Sequence, residues 1–202
     1  MLGERVRSRE VPVPEPDRQP VGDVALEDAL VAACAGAGWA FERLYEHLAP
    51  SVVRYLDLHG ASDPDSLAND VMLTVFRRLS SFEGDLQGLR SLVFTIAHRR
   101  AIDDHRRRSA RPKTGPSPSE DHPVGGDVEH EAMEQLGETR IRALVEDLTD
   151  DQRAVVLLRI VADLSVDEVA ALLGRRPGAI KMLQRRGLAR LRRIMEREGV
   201  TT

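Results

Sequence analysis

From Leu26 onward the apolar residues return every three or four positions. Leu26, Leu30, Val31 and Cys34 make one series, and Phe41, Leu44, Tyr45, Leu48, Val52, Val53 and Leu56 make the next. That period is the turn of an α-helix rather than the two-residue alternation of a strand. A third helix is predicted over Pro64 to Leu79: Asp63 can cap it, Pro64 suits the first helical position, and Leu67, Val71, Val75 and Leu79 form one stripe. Gly84 and Gly88 mark a loop around SFEGDLQG, and a long helix follows from about Leu89 to Arg108. Further on, Leu144, Leu148, Val155, Val156, Leu158, Ile160 and Val161 are the expected core of a second helical group. Strand alternation is not found along the chain, and the predicted fold class is all-α: two small helical domains on a flexible linker.

The clearest local grammar lies near the C-terminus. Ser165-Val-Asp-Glu168 has capping-box spacing, in which the Ser hydroxyl satisfies an amide of the first turn and the Glu reaches back to the cap. Val166, Val169, Ala170 and Leu173 give the helix it starts a buried face, and Gly174 supplies the stop. After a tight turn Pro177 opens another helix. Its apolar positions Ile180, Leu183, Leu188, Leu191 and Ile194 leave Arg175, Arg176, Lys181, Arg185 and Arg186 toward solvent, a helix-turn-helix order with a basic second helix suited to a major groove.

Proline and glycine divide the chain. Residues 1–24 carry four prolines among charged residues and read as a disordered tail; 25–111 form the first domain; 112–128, again rich in Pro and Gly, a flexible acidic linker; 129–198 the second domain.

The formal net charge of -4 conceals strong segregation. Arg175 to Arg197 holds nine Lys or Arg against Glu196 alone; Ala97 to Lys113 holds seven against Asp103 and Asp104; Ser117 to Asp151 holds eleven acids against Arg140 and Arg142. The two basic stretches are candidate surfaces for a polyanion. One cysteine, Cys34, excludes an intrachain disulfide and reads as a small buried thiol in a reducing compartment. No apolar run approaches the roughly 20 residues that cross a bilayer, and the N-terminus lacks a signal peptide's apolar core. The six histidines do not group at metal-ligand spacing, and no cofactor is expected. Asp103 and Asp104 are adjacent, so they point to different faces of a helix among arginines, which suits an ion-paired surface rather than a catalytic pair. With no glycine-rich phosphate loop and no nucleophile motif, an enzyme is not expected.

The two halves read together resemble the extracytoplasmic-function (ECF) sigma factors of bacterial RNA polymerase, group 4 of the sigma-70 family. The stretches AFERLYEHLAPSVVRYL, DPDSLANDVMLTVFRRL and SFEGDLQGLRSLVFTIAHRRAIDDHRRR are similar, in order, to motifs of that family's region 2. LTDDQRAVVLLRIVADLSVDEVAALLGRRPGAIKMLQRRGLARLRR is similar to its region 4, and the likeness spans Leu26 to Arg193. The resemblance implies a cytoplasmic factor that binds core polymerase, recognises and melts promoters and so directs initiation. It implies docking of Asp65, Leu67, Asn69, Asp70, Val71 and Leu73 on the clamp helices of the largest subunit, with the second half meeting the flap of the second-largest subunit. A loop from Ser80 to Leu89, with Phe82, Glu83, Gly84 and Asp85, would hold a base flipped from the minus-ten element. Arg99, Arg100, Asp103, Arg106 and Arg107 would contact that element. Arg175, Arg176, Lys181, Arg185 and Arg186 would read the minus-thirty-five element.

Three positions depart from the family pattern: Leu92 replaces a frequent Trp, Arg176 stands where a Ser or Thr usually caps the recognition helix, and Gly187 interrupts that helix at a cost of up to about 1 kcal/mol. Neither an additional C-terminal domain nor a long N-terminal region is expected, so control would come from an anti-sigma protein. The alternative reading is a conventional helix-turn-helix regulator acting on duplex operators.

Overall fold

The computed structural model describes residues 25–110 and 128–197, without side chains for 128–136. The predicted tail at 1–24 and all but the last residue of the predicted linker lie outside the described residues.

All regular structure among the described residues is helical. The first four helices are α1 (Leu26–Cys34), α2 (Gly38–Leu58), α3 (Pro64–Phe76) and α4 (Leu86–Ala110); then come α5 (Val128–Glu146), α6 (Asp150–Ile160), α7 (Val166–Leu173) and α8 (Pro177–Arg197). Helix α2 is the spine of the first group. Ala40, Leu44, Leu48, Val52 and Leu56 recur every four residues and are buried, with Tyr55 beside them, because that spacing keeps one face toward α1, α3 and α4. Phe41 meets Phe76 edge to face at 5.2 Å and Tyr55 meets Phe94 at 5.5 Å, tying α2 to α3 and α4.

Helix starts follow the expected chemistry. Asp63 Oδ1 accepts from Ser66 N at 3.0 Å with Pro64 at the first position. Ser165 and Glu168 complete their capping box, and Gly174 at φ +62° ends α7 in the left-handed conformation that glycine adopts without a Cβ penalty. Thr149 and Gln152 form a second capping box at the start of α6, readable in Thr-Asp-Asp-Gln but not anticipated.

Several expectations shift. Helix α3 ends at Phe76, and Leu79 lies in a short 3-10 turn, Leu79–Ser81. Helix α4 begins at Leu86 rather than near Leu89, because the Asp85 carboxylate accepts from Gly88 N at 2.7 Å and starts the helix over a segment with two glycines nearby. Ile160, expected in the core, is 63% exposed; Leu188 is also exposed; Cys34 is half-buried.

In the second group α6 and α8 pack most closely, and Gly187 makes that approach possible: a Cβ there would stand 2.9 Å from Val156 Cγ2. The glycine is therefore a packing requirement, not merely a weak helix former. Gly187→Ala is expected to lower stability by about 1 kcal/mol, because overpacking of about 1–3 kcal/mol outweighs the helix-propensity gain of about 1 kcal/mol. A raised urea midpoint would show that propensity governs the site instead.

Candidate nucleic-acid interface

The C-terminal site is one face of α8. Lys181, Met182, Arg185 and Arg186 stand at i, i+1, i+4 and i+5 and line a shallow depression, while Ile180 on the opposite side is fully buried against the core. Met182, 52% exposed, is a member that charge-based reading overlooked. The signal was present in its position between Lys181 and the Arg185–Arg186 pair. Such a face offers guanidinium donors for base edges and phosphates and one apolar side chain for a base methyl. Arg176 is exposed, and its carbonyl accepts from Ala179 N and Ile180 N at 2.9 and 3.3 Å, so it occupies the start of α8 through its backbone. Arg175 differs from the rest: its guanidinium holds both oxygens of Asp151 at 2.8 Å, fastening the turn to the start of α6.

On α4, Arg99, Asp103 and Arg106 are exposed at i, i+4 and i+7 and share one face; Arg107 is exposed beside them and Arg100 is half-buried. Asp104 is structural. It accepts from Ser62 N and Oγ at 3.1 and 2.9 Å and pairs with Arg108 at 3.1 Å, while Arg108 also donates to the Gly60 carbonyl, so the α2–α3 turn is pinned to α4.

The loop before α4 divides its candidates. The half-buried Phe82 ring packs on the core and lies over Gly84, where a Cβ would meet Phe82 Cζ at 2.6 Å. Asp85 is committed to starting α4. Glu83 and the exposed loop backbone remain for a ligand, with Phe82 fixing their shape.

Helix α3 carries the third candidate surface. Asp65, Asn69 and Leu73 recur every four residues and are exposed, Leu73 at 53%, with Asp70 alongside. Tyr45 Oη donates to Asn69 Oδ1 at 2.6 Å, fixing the amide so that its NH2 faces outward. Leu67 is half-buried against the core. Val71 is fully buried, so its assignment to a docking surface is corrected: it falls on the opposite stripe of α3 and serves the core.

The three surfaces ride on one connected core, since buried residues of both helical groups form a single cluster. Where the groups meet, Arg142 of α5 pairs with Asp57 of α2, and Gln87 and Ser91 of α4 donate to the Glu168 carboxylate. Burial raises the Glu168 carboxyl, but hydrogen bonds from Ser165, Gln87 and Ser91 outweigh it and keep it below its ordinary value.

Comparison with known proteins gives this arrangement its family. Residues 138–191 match the family model for sigma-70, region 4. Over 175 residues the chain is 31% identical to the ECF RNA polymerase sigma factor SigD of Mycobacterium tuberculosis, covering 82% of each sequence. The chain belongs to the ECF RNA polymerase sigma factors. A second relative of this sigma factor, RpoE of Cereibacter sphaeroides, is 33% identical over 162 residues, covering 77% of this chain and 86% of that one. The fold is shared with CnrH, solved in complex with the cytosolic domain of CnrY: TM-score 0.63, 19% identity, 85% of this chain and 98% of that chain covered. No helix among the described residues of the sigma factor is long and apolar enough to cross a membrane.

Proposed function

We propose that this sigma factor docks on the clamp helices of core polymerase through Asp65, Asn69, Asp70 and Leu73. It holds the unpaired minus-ten strand between the loop around Glu83 and the arginine face of α4, and reads the minus-thirty-five duplex with Lys181, Arg185 and Arg186. The observation that carries this reading is the separation of two exposed arginine faces, on α4 and α8, from an acidic and apolar face on α3. Arginine on α4 suits a strand whose phosphates must be held while its bases leave the stack, and arginine on α8 suits guanine edges and phosphates of a duplex. The factor supplies recognition and acts in the bacterial cytoplasm; bond formation belongs to the polymerase.

An anti-sigma protein is the expected regulator. CnrH was solved in complex with the cytosolic domain of CnrY, and an apolar groove of about 450 Å³ between α2, α5, α6 and α8, lined by Leu58, Ile141, Leu144, Ile160, Leu191 and Met195, supports a protein partner for this chain.

Transcription of genomic fragments by core polymerase, with and without the protein, tests the function: protein-dependent starts sharing two spaced upstream elements are expected. Sequence-specific duplex binding by the protein alone, without such starts, would favour the operator-binding regulator. Asp70→Arg reverses charge on the docking face and is expected to weaken core binding about tenfold, on the order of the 1–3 kcal/mol that a charge-assisted contact supplies. Unchanged affinity in a polymerase titration would remove α3 from the docking site.

A further inference from the structure

Near its start, helix α8 exposes one large apolar side chain among cations. Met182 is 52% exposed in the depression that it shares with Lys181, Arg185 and Arg186, whereas Ile180 and Leu183 on either side pack toward the core. Arg185 and Arg186 follow Met182 by three and four positions, so both flank it on the helix surface. A helical side chain leans back over the residues three and four positions before it, here Ala179 and Gly178. Both are small, and a Cβ at Gly178 would meet no side chain within 4 Å apart from those of its chain neighbours. Met182 therefore borders an open notch, not the protein interior.

Pro177 begins α8, so Met182 lies in its second turn. In a helix-turn-helix pair the N-terminal residues of the second helix are the ones that reach base edges. Lys181, Arg185 and Arg186 are hydrogen-bond donors, which suits phosphates and the acceptors of guanine. A thioether supplies something different, a flexible and polarisable surface for an apolar group. Of the four bases only thymine places such a group, its C5 methyl, in the major groove. Cytosine and adenine present an amino donor there, and Met182 would leave it without a strong acceptor.

We infer that Met182 is a specificity-determining residue, packing on the methyl group of one thymine in the minus-thirty-five element at the notch beside Gly178. The inference rests on the reading of that element by α8 proposed above. It gives the chain a base preference that charge cannot supply: the cations hold phosphates and guanine edges, and the thioether selects thymine.

The test removes the contact from each side in turn. In a promoter mapped by the transcription experiment above, each thymine of the upstream element is replaced singly by uracil, which lacks the C5 methyl and keeps every hydrogen-bonding group; the minus-ten element is left intact. Holoenzyme assembled with the wild type, Met182→Ala or Met182→Leu is titrated with each fragment. Because Met182 is exposed, neither substitution opens a cavity in the core. The wild type is expected to lose about fourfold in affinity at one thymine, the worth of one buried methyl group. Met182→Ala is expected to bind the thymine and uracil fragments equally, and Met182→Leu, which keeps the apolar surface, to retain most of the difference. A wild type indifferent to uracil at every position, or a uracil effect undiminished in Met182→Ala, would overturn the inference. So would weaker core polymerase binding by Met182→Ala, which would assign the side chain to a protein contact. A fragment with the whole upstream element scrambled separates this inference from the reading beneath it. If holoenzyme binds that fragment as tightly as the promoter, α8 does not read DNA; sensitivity to scrambling without sensitivity to uracil defeats the Met182 assignment alone.

Discussion

A sigma factor carrying Arg185→Ala and Arg186→Ala loses promoter-specific transcription by about 30-fold or more while its affinity for core polymerase stays unchanged. The magnitude follows from a loss of about 1–3 kcal/mol for each well-placed arginine contact to a base edge, with 1.4 kcal/mol corresponding to tenfold. Both side chains are exposed on the same stretch of α8, and neither supports the core, which is formed on that helix by Ile180, Gly187 and Ile194. Replacement by lysine separates the two kinds of contact. Lysine keeps the phosphate attraction but cannot form the two-pronged bond to guanine, so Arg185→Lys should retain non-specific DNA affinity and lose discrimination at one promoter position. Arg175→Ala is the informative contrast. Its guanidinium is engaged with Asp151, so its removal should lower stability and leave promoter choice intact. In vitro transcription from a mapped promoter, with core binding measured in parallel, checks all three. A double-alanine variant that transcribes normally would remove this face of α8 from promoter recognition.

The contrast between Arg175 and Arg185 shows how far the sequence could be read. Helical period, Asp63, Ser165 with Glu168, and Gly174 announce their structures because each acts on residues within one turn, and all four perform as expected. The order of motifs made the family legible as well. Which arginine serves the fold depends on residues far away in sequence: Arg175 finds Asp151 across 24 positions, and Arg108 finds the Gly60 carbonyl across 48. Charge density places all of them in basic runs and cannot sort the structural from the free-facing. Val71 fails for the related reason that helical period fixes a stripe but not which neighbour covers it; α3 turns Val71 inward and Leu73 outward. Gly187 carried a local cost in sequence, whereas its gain, closeness to Val156, exists only once α6 lies across α8. The contacts of Glu168 with Gln87 and Ser91 join residues 77 to 81 positions apart, so they were invisible beside the capping box that the same residue advertises.

Acid is expected to destabilise the free sigma factor well above the pH at which most carboxylates titrate, and the main cause is one buried imidazole. His98 lies in the core of α4, its Nδ1 2.8 Å from Tyr55 Oη, with the His59 ring 5.4 Å away. Burial, and then the nearby His59, push His98 down from 6.5 to about 4. Burial keeps the Tyr55 hydroxyl protonated, so it can donate to an unprotonated Nδ1; a proton on Nδ1 would abolish that acceptor. His59 is itself depressed, first by burial and then by Arg153, and its Nε2 is buried with no hydrogen-bond partner among the described residues. Unfolding frees His98 to bind a proton near pH 6.5, whereas the folded chain resists until about 4. Stability is therefore full above pH 6.5 and falls as the pH drops toward 4, by about 3 kcal/mol at 1.36 kcal/mol for each pH unit. Urea unfolding between pH 7.5 and 5 should show a declining midpoint, and His98→Gln, which retains an acceptor for Tyr55, should flatten much of that decline even if it lowers stability at neutral pH. An equal slope in the variant would place the acid sensitivity elsewhere, with His59 as the next group to replace. The location gives the effect its consequence: His98 immediately precedes Arg99 and Arg100, so protonation loosens the helix whose arginines are proposed to contact the minus-ten element rather than a remote part of the fold.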